Sequence, residues 1–63
     1  MKIVQIDNFD RDYISDVLIA ENVNEYFGKL IVDFLNSRES DTSERYFILR
    51  QDSYKLKDVL ENY

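Results

Sequence analysis

Apolar residues recur along this chain with two different periods. Ile3, Val4 and Ile6 make a short β-branched run, so residues 2–6 are predicted to form a strand, closed by turn and cap chemistry at Asp7 and Asn8. Val23, Tyr26, Phe27, Leu30, Ile31, Phe34 and Leu35 repeat at the three- and four-residue spacing of one helix face, which predicts an amphipathic helix over residues 23–37. Asn22 or Asn24 can cap its start, and Glu25 and Lys29 pair across one turn on its polar side. Tyr46, Phe47, Ile48 and Leu49, bounded by Arg45 and Arg50, predict a second strand. Leu56, Val59, Leu60 and Tyr63 return to helical spacing, so a short C-terminal helix is expected after a turn at Asp52 and Ser53.

Residues 11–21 fit two descriptions. Tyr13, Ile14, Val17 and Leu18 fall at helical spacing, with Asn8 or Asp10 as possible caps, whereas Val17-Leu18-Ile19-Ala20 is also an acceptable buried strand. Asp10 and Asp12 would lie near the positive end of a helix dipole, which favours the helix. The expected fold is therefore α+β, in the order β-α-α-β-α. It consists of a minimal two-stranded sheet packed by one long amphipathic helix and one or two shorter helices. Pro is absent and Gly28 is the only Gly, so residues 1–63 read as a single domain. The polar run from Ser37 to Ser43 is the one stretch without apolar anchors.

The main helix carries more apolar surface than one small sheet covers. Gly28 and Val32 widen its stripe beside Leu35. A mid-helix Gly costs about 1 kcal/mol relative to Ala, which is tolerable where another chain segment packs closely. Two readings stay open for this flank. Gly28, Val32 and Leu35 form a partner or dimer surface, or the N-terminal helix of the same chain covers them.

Composition narrows the function classes. The chain has no Cys and no His, which removes disulfides, thiolate sites, the commonest transition-metal ligand and the commonest general base. A chain of 63 residues has marginal stability alone, and packing or oligomerisation is the support left to it. The early residues turn acidic too soon for a secretion signal, and no apolar run reaches the roughly 20 residues of a membrane span. A cytoplasmic setting is expected. The net charge of −5 disfavours direct nucleic-acid binding. Acids concentrate in residues 1–37, most densely as an acidic face of Asp7, Asp10, Asp12 and Asp16.

No catalytic constellation stands out: the serines lack an activating neighbour, and no glycine loop for phosphate exists. Neither an enzyme nor a cofactor is expected. The segment Asn8 to Ile19 resembles a calcium loop in its first oxygens, but Tyr13 stands where the turn needs Gly and Ile19 where a bidentate Glu belongs. No metal site is expected there either. A row of Asp10, Asp12, Asp16, Glu21, Glu25 and Asp33 suggests a decoy for DNA phosphates, although eight bases dilute such a field. Tyr13, Tyr54 and Tyr63 are candidates for interface use, since Tyr joins a large apolar body to a polar tip.

Residues 15–26, with Tyr46-Phe47-Ile48-Leu49 and Asp52-Ser53-Tyr54-Lys55-Leu56, resemble short uncharacterised proteins of tailed bacteriophages. The resemblance holds no functional motif, so no site residue carries over. It implies a setting rich in small proteins that inhibit host factors, defence systems included, and hence the host cytoplasm. The function expected is a small acidic protein–protein interaction module, homodimeric, that inhibits or modulates a host complex. The alternatives are a DNA-mimic decoy and a structural or regulatory accessory subunit.

Overall fold

In the computed structural model, residues 1–40 and 42–59 are described; Asp41 and residues 60–63 lie outside that description. Ile3 and Val4 are adjacent, point to opposite faces of a strand, and are both wholly buried. Layers packed on the sheet cover the two faces of a strand, while neighbouring strands satisfy the backbone groups along its edges. Accordingly β1 (Lys2–Asp7) lies in the centre of a three-stranded antiparallel sheet, between β2 (Val17–Ala20) and β3 (Arg45–Arg50). The β1–β3 register is continuous from Lys2 opposite Arg50 to Asp7 opposite Arg45. The β1–β2 ladder is irregular: Ile3 faces Ala20 but Val4 faces Leu18, which leaves Ile19 as the extra residue of a bulge.

The two-stranded, multi-helix expectation is thus corrected, among the described residues, to β-β-α-β with one α-helix, α1 (Glu25–Ser37). Residues 11–21 do not form a helix, for local reasons. Asp10 has a positive φ of 52°, the Arg11 amide donates to the Asp7 carboxylate at 2.7 Å, and the Asp16 amide donates to the Lys57 carbonyl at 2.8 Å. These bonds fold residues 8–16 into a loop and release Val17–Ala20 to pair with β1. Of the expected C-terminal helix, residues 51–58 are turn and irregular chain and Val59 is in a 3-10 turn; Leu60 and Tyr63 lie outside the described residues.

α1 begins where Asn24 caps it, its side-chain oxygen accepting from the Tyr26 amide at 2.8 Å. Its buried residues are Gly28 and Val32, and Val32 joins Ile3 and Phe47 in the core, with Ala20, Val23, Leu35 and Leu49 packed around them. Gly28 packs closely against β3. A Cβ built there would stand 2.7 Å from Leu49 Cδ1 and 3.2 Å from Val23 Cγ1. The helix touches β3 and β1 but not β2.

The opposite face of the sheet carries Val4, Leu18 and Ile48, and the C-terminal segment returns across it. Lys2 Nζ donates to the Tyr54 carbonyl at 3.3 Å, and the Asp16 carboxylate accepts from the Lys57 amide at 2.8 Å and the Tyr54 hydroxyl at 3.2 Å. The Val59 amide donates to Ser15 Oγ at 2.9 Å. This clip keeps Val4 dry without a second helix.

Candidate interaction surface

The position of α1 on its sheet decides which side chains meet water. The Asn36 side chain reaches over the outer edge of β3, accepting from the Phe47 amide and donating to the Phe47 carbonyl, both at 2.8 Å. One amide group thereby satisfies two strand-edge groups that otherwise template another strand. The flank bearing Asn36, Lys29 and Asp33 consequently lies beyond the sheet edge, where Lys29 pairs with Glu25 at 3.5 Å. The other flank, turned towards β2, has no cover.

That uncovered surface is apolar. Tyr26, Phe27, Leu30, Ile31 and Phe34 are between 43% and 66% exposed, although their spacing reads as a core stripe. The tyrosine ring of Tyr26 meets Phe27 edge-on at 5.2 Å, and the Arg38 guanidinium lies 5.7 Å from the Phe34 ring. On β2, Val17, Leu18 and Ile19 are likewise exposed. Counting roughly 200 Å² for a whole aromatic side chain and somewhat less for Leu and Ile, the five helix residues leave on the order of 500 Å² of side chain in water. A typical monomer's largest apolar patch is about 300–600 Å², and patches of that size are often functional.

Gly28, Val32 and Leu35, expected at a partner surface, are instead on the inner side of α1: the first two are buried and Leu35 packs against the core. The chain's own β3 covers them, because only a residue without a Cβ admits Leu49 so close. Tyr54 is half-buried, and its hydroxyl is committed to Asp16; burial first, then the neighbouring Asp16 charge, pushes its pKa up. Tyr13 is exposed as expected, and Tyr63 lies outside the described residues.

The acidic face does not assemble. Asp10 and Asp12 are exposed, but Asp16 holds the C-terminal clip and Asp7 is turned inward. Arg11 grips Asp7 with two bonds of 2.7 Å, from Nε and Nη2, and its hydrogen bonds hold the Asp7 carboxyl well below the usual carboxylate range. The same guanidinium lies 5.5 Å from the Phe9 ring and 5.6 Å from the Tyr13 ring, so the loop presents two exposed aromatics on one fixed cation. Sequence reading passed over this Arg11 hub, although an Asp and an Arg one helical turn apart is its visible signal.

A cleft of about 460 Å³ opens between this loop and the start of β3, lined by Asp7, Arg11, Glu39, Glu44 and Arg45 among others. Its charges are engaged with one another: Arg11 with Asp7 and Glu44, and Arg45 with Glu39 at 2.9 Å. Among the described residues no cluster of three or more potential metal ligands exists, and no helix is long and apolar enough to cross a membrane. No family model matches the chain, and comparison with curated proteins and with solved structures found no match. The candidate surface therefore rests on the geometry alone, and the outer side of α1 is its largest part.

Proposed function

We propose that the chain is a non-catalytic interaction module that works by binding another protein chain through the outer side of α1. One observation carries this reading: five large apolar side chains lie together in water on one helix, with Arg38 at its C-cap the charge held beside them. Leaving them there gains nothing for a monomer. An apolar helix face is a standard docking element for a protein groove or a second helix. The Phe9–Arg11–Tyr13 group is a smaller second surface, rich in the residue types that anchor interfaces.

The resemblance to phage proteins supports a narrower form of the proposal, in which the module inhibits a bacterial host complex in the host cytoplasm. The decoy alternative loses support, because within its row Asp16 is spent on bonds to Lys57 and Tyr54 and Glu25 is paired with Lys29. The test compares proteins retained by the wild type with those retained by a Leu30→Glu, Phe34→Glu double variant, and with a Lys29→Glu control on the polar flank. Loss of binding in the double variant alone supports the proposal. Equal binding by all three removes α1 from the function.

A further inference from the structure

The occupant of the α1 surface is written in the order of its side chains. Phe27, Leu30, Ile31 and Phe34 are separated by three, one and three positions, a spacing that reads the same in both directions. Two copies of the helix laid antiparallel, about an axis passing between Leu30 and Ile31, set Phe27 of each against Phe34 of the other. Leu30 and Ile31 then each meet their own counterpart beside the axis. A two-fold interface must be self-complementary in this sense. An unrelated partner requires no such symmetry.

The ends of the helix agree with this arrangement. Its N-terminal end is preceded by the exposed Glu21, and Arg38 at its C-cap is held beside Phe34. Antiparallel pairing brings Arg38 to the acidic end of the other copy at both ends of the contact, whereas parallel pairing opposes Arg38 to Arg38. The polar flank with Lys29 and Asp33 stays in water on both copies. The area also suits a dimer: on the order of 500 Å² from each helix is the larger part of the roughly 800 Å² per partner of a standard interface. The need is plain as well, since among the described residues only Ile3, Val4, Val32 and Phe47 form the buried hydrophobic core.

We infer that a second copy of this chain occupies the outer side of α1, in an antiparallel two-fold helix pair centred between Leu30 and Ile31. This inference rests on the interaction reading above and names its partner. The dimer leaves both Phe9–Arg11–Tyr13 groups free for a further protein.

Because the chain lacks Cys, single cysteines report the geometry directly. Oxidised Leu30→Cys should form a covalent dimer of twice 7.6 kDa. Phe27→Cys should not cross-link to itself, since seven residues at about 1.5 Å each separate it from its counterpart by roughly 10 Å, beyond the ~7 Å Cα limit of a disulfide. A mixture of Phe27→Cys and Phe34→Cys should cross-link. Sedimentation equilibrium should show the wild type as a dimer, and Leu30→Glu should raise the dissociation constant by at least roughly 100-fold. Leu30 is half exposed, so circular dichroism of that variant should stay native. A wild type of 7.6 kDa up to about 100 µM, or self-cross-linking of Phe27→Cys as fast as Leu30→Cys, overturns the inference. If the wild type is monomeric yet the Leu30→Glu, Phe34→Glu variant loses a bound protein, only the second-copy inference falls. If nothing binding depends on those residues, the interaction reading falls with it.

Discussion

Replacing Asn36 with Ala should be the most destabilising change to any polar residue of α1. Its side chain satisfies both backbone groups of Phe47, each at 2.8 Å, and Phe47 is only 6% exposed. Removing the amide leaves a donor and an acceptor without their partner in a nearly dry place. Each such orphaned group costs about 1–3 kcal/mol. Ala recovers about 0.5 kcal/mol of helix propensity, and water entering at the strand edge recovers part of the rest. The expected net loss is about 2–3 kcal/mol. In a domain of this size 1 kcal/mol shifts Tm by about 4–8 °C, so the variant should melt roughly 10–20 °C lower. Melts followed by circular dichroism at one fixed concentration measure this, since the proposed dimerisation would make Tm depend on concentration. Amide exchange should show the Phe47 N–H losing protection more than its strand neighbours. Lys29→Ala, on the same flank in water, should stay within about 0.5 kcal/mol of wild type. A drop of less than about 3 °C for Asn36→Ala refutes the reasoning and means that the amide bonds are replaced by water at no cost.

Asp16→Ala should free the C-terminal segment, lowering stability by about 1–2 kcal/mol and speeding proteolysis after Lys55 or Lys57, because two donors lose their shared acceptor. Unchanged proteolysis would mean that apolar packing alone holds the segment. Acid titration should show the Asp7–Arg11 pair: with the folded pKa depressed, its stabilisation is complete above the ordinary Asp value of about 3.9 and is lost as pH falls below it. Asp7→Asn should lower stability at neutral pH and flatten that acid limb, which denaturant melts at several pH values would reveal. Asn22 has φ of 58°, so Asn22→Gly should be neutral or slightly stabilising while Asn22→Val costs about 1–2 kcal/mol. Equal melting temperatures for the two variants would contradict a left-handed backbone there.

The chain pattern is informative where periodicity and tertiary contact agree. The runs Ile3–Val4 and Tyr46–Leu49 are strands, and the stripe after Asn24 is a helix with that residue as its cap. Around residues 11–21 the pattern is ambiguous for a physical reason. Tyr13, Ile14, Val17 and Leu18 do have helical spacing, but the outcome turns on β1 having two edges to pair and on side-chain bonds between Asp7 and Arg11 and between Asp16 and Lys57. The first pair is visible as a spacing; the second spans 41 residues and leaves no local trace. The C-terminal segment shows the same limit, since the spacing from Leu56 onward is helical yet residues 54–58 are irregular chain bonded to Lys2 and Asp16.

The surface was half legible. Apolar residues occupy about two thirds of the α1 circumference, so an uncovered side was foreseeable from the wheel. A wheel has no orientation, however, and the longest apolar row is the natural choice for the core. Gly28 is what reverses it. The side chains of a helix keep it about 8–10 Å from its neighbour; a helix presenting Gly28 and Val32 can sit closer to β3 and receive Leu49 between its turns. Packing on Phe27, Leu30 and Phe34 would hold the two layers further apart and leave Asn36 unable to reach Phe47. The small side therefore packs inward within one chain, and the bulky, symmetric side is left outward. In the dimer we propose, the monomer core and the second copy would use opposite faces of one helix, which would account for an apolar arc too wide for either contact alone.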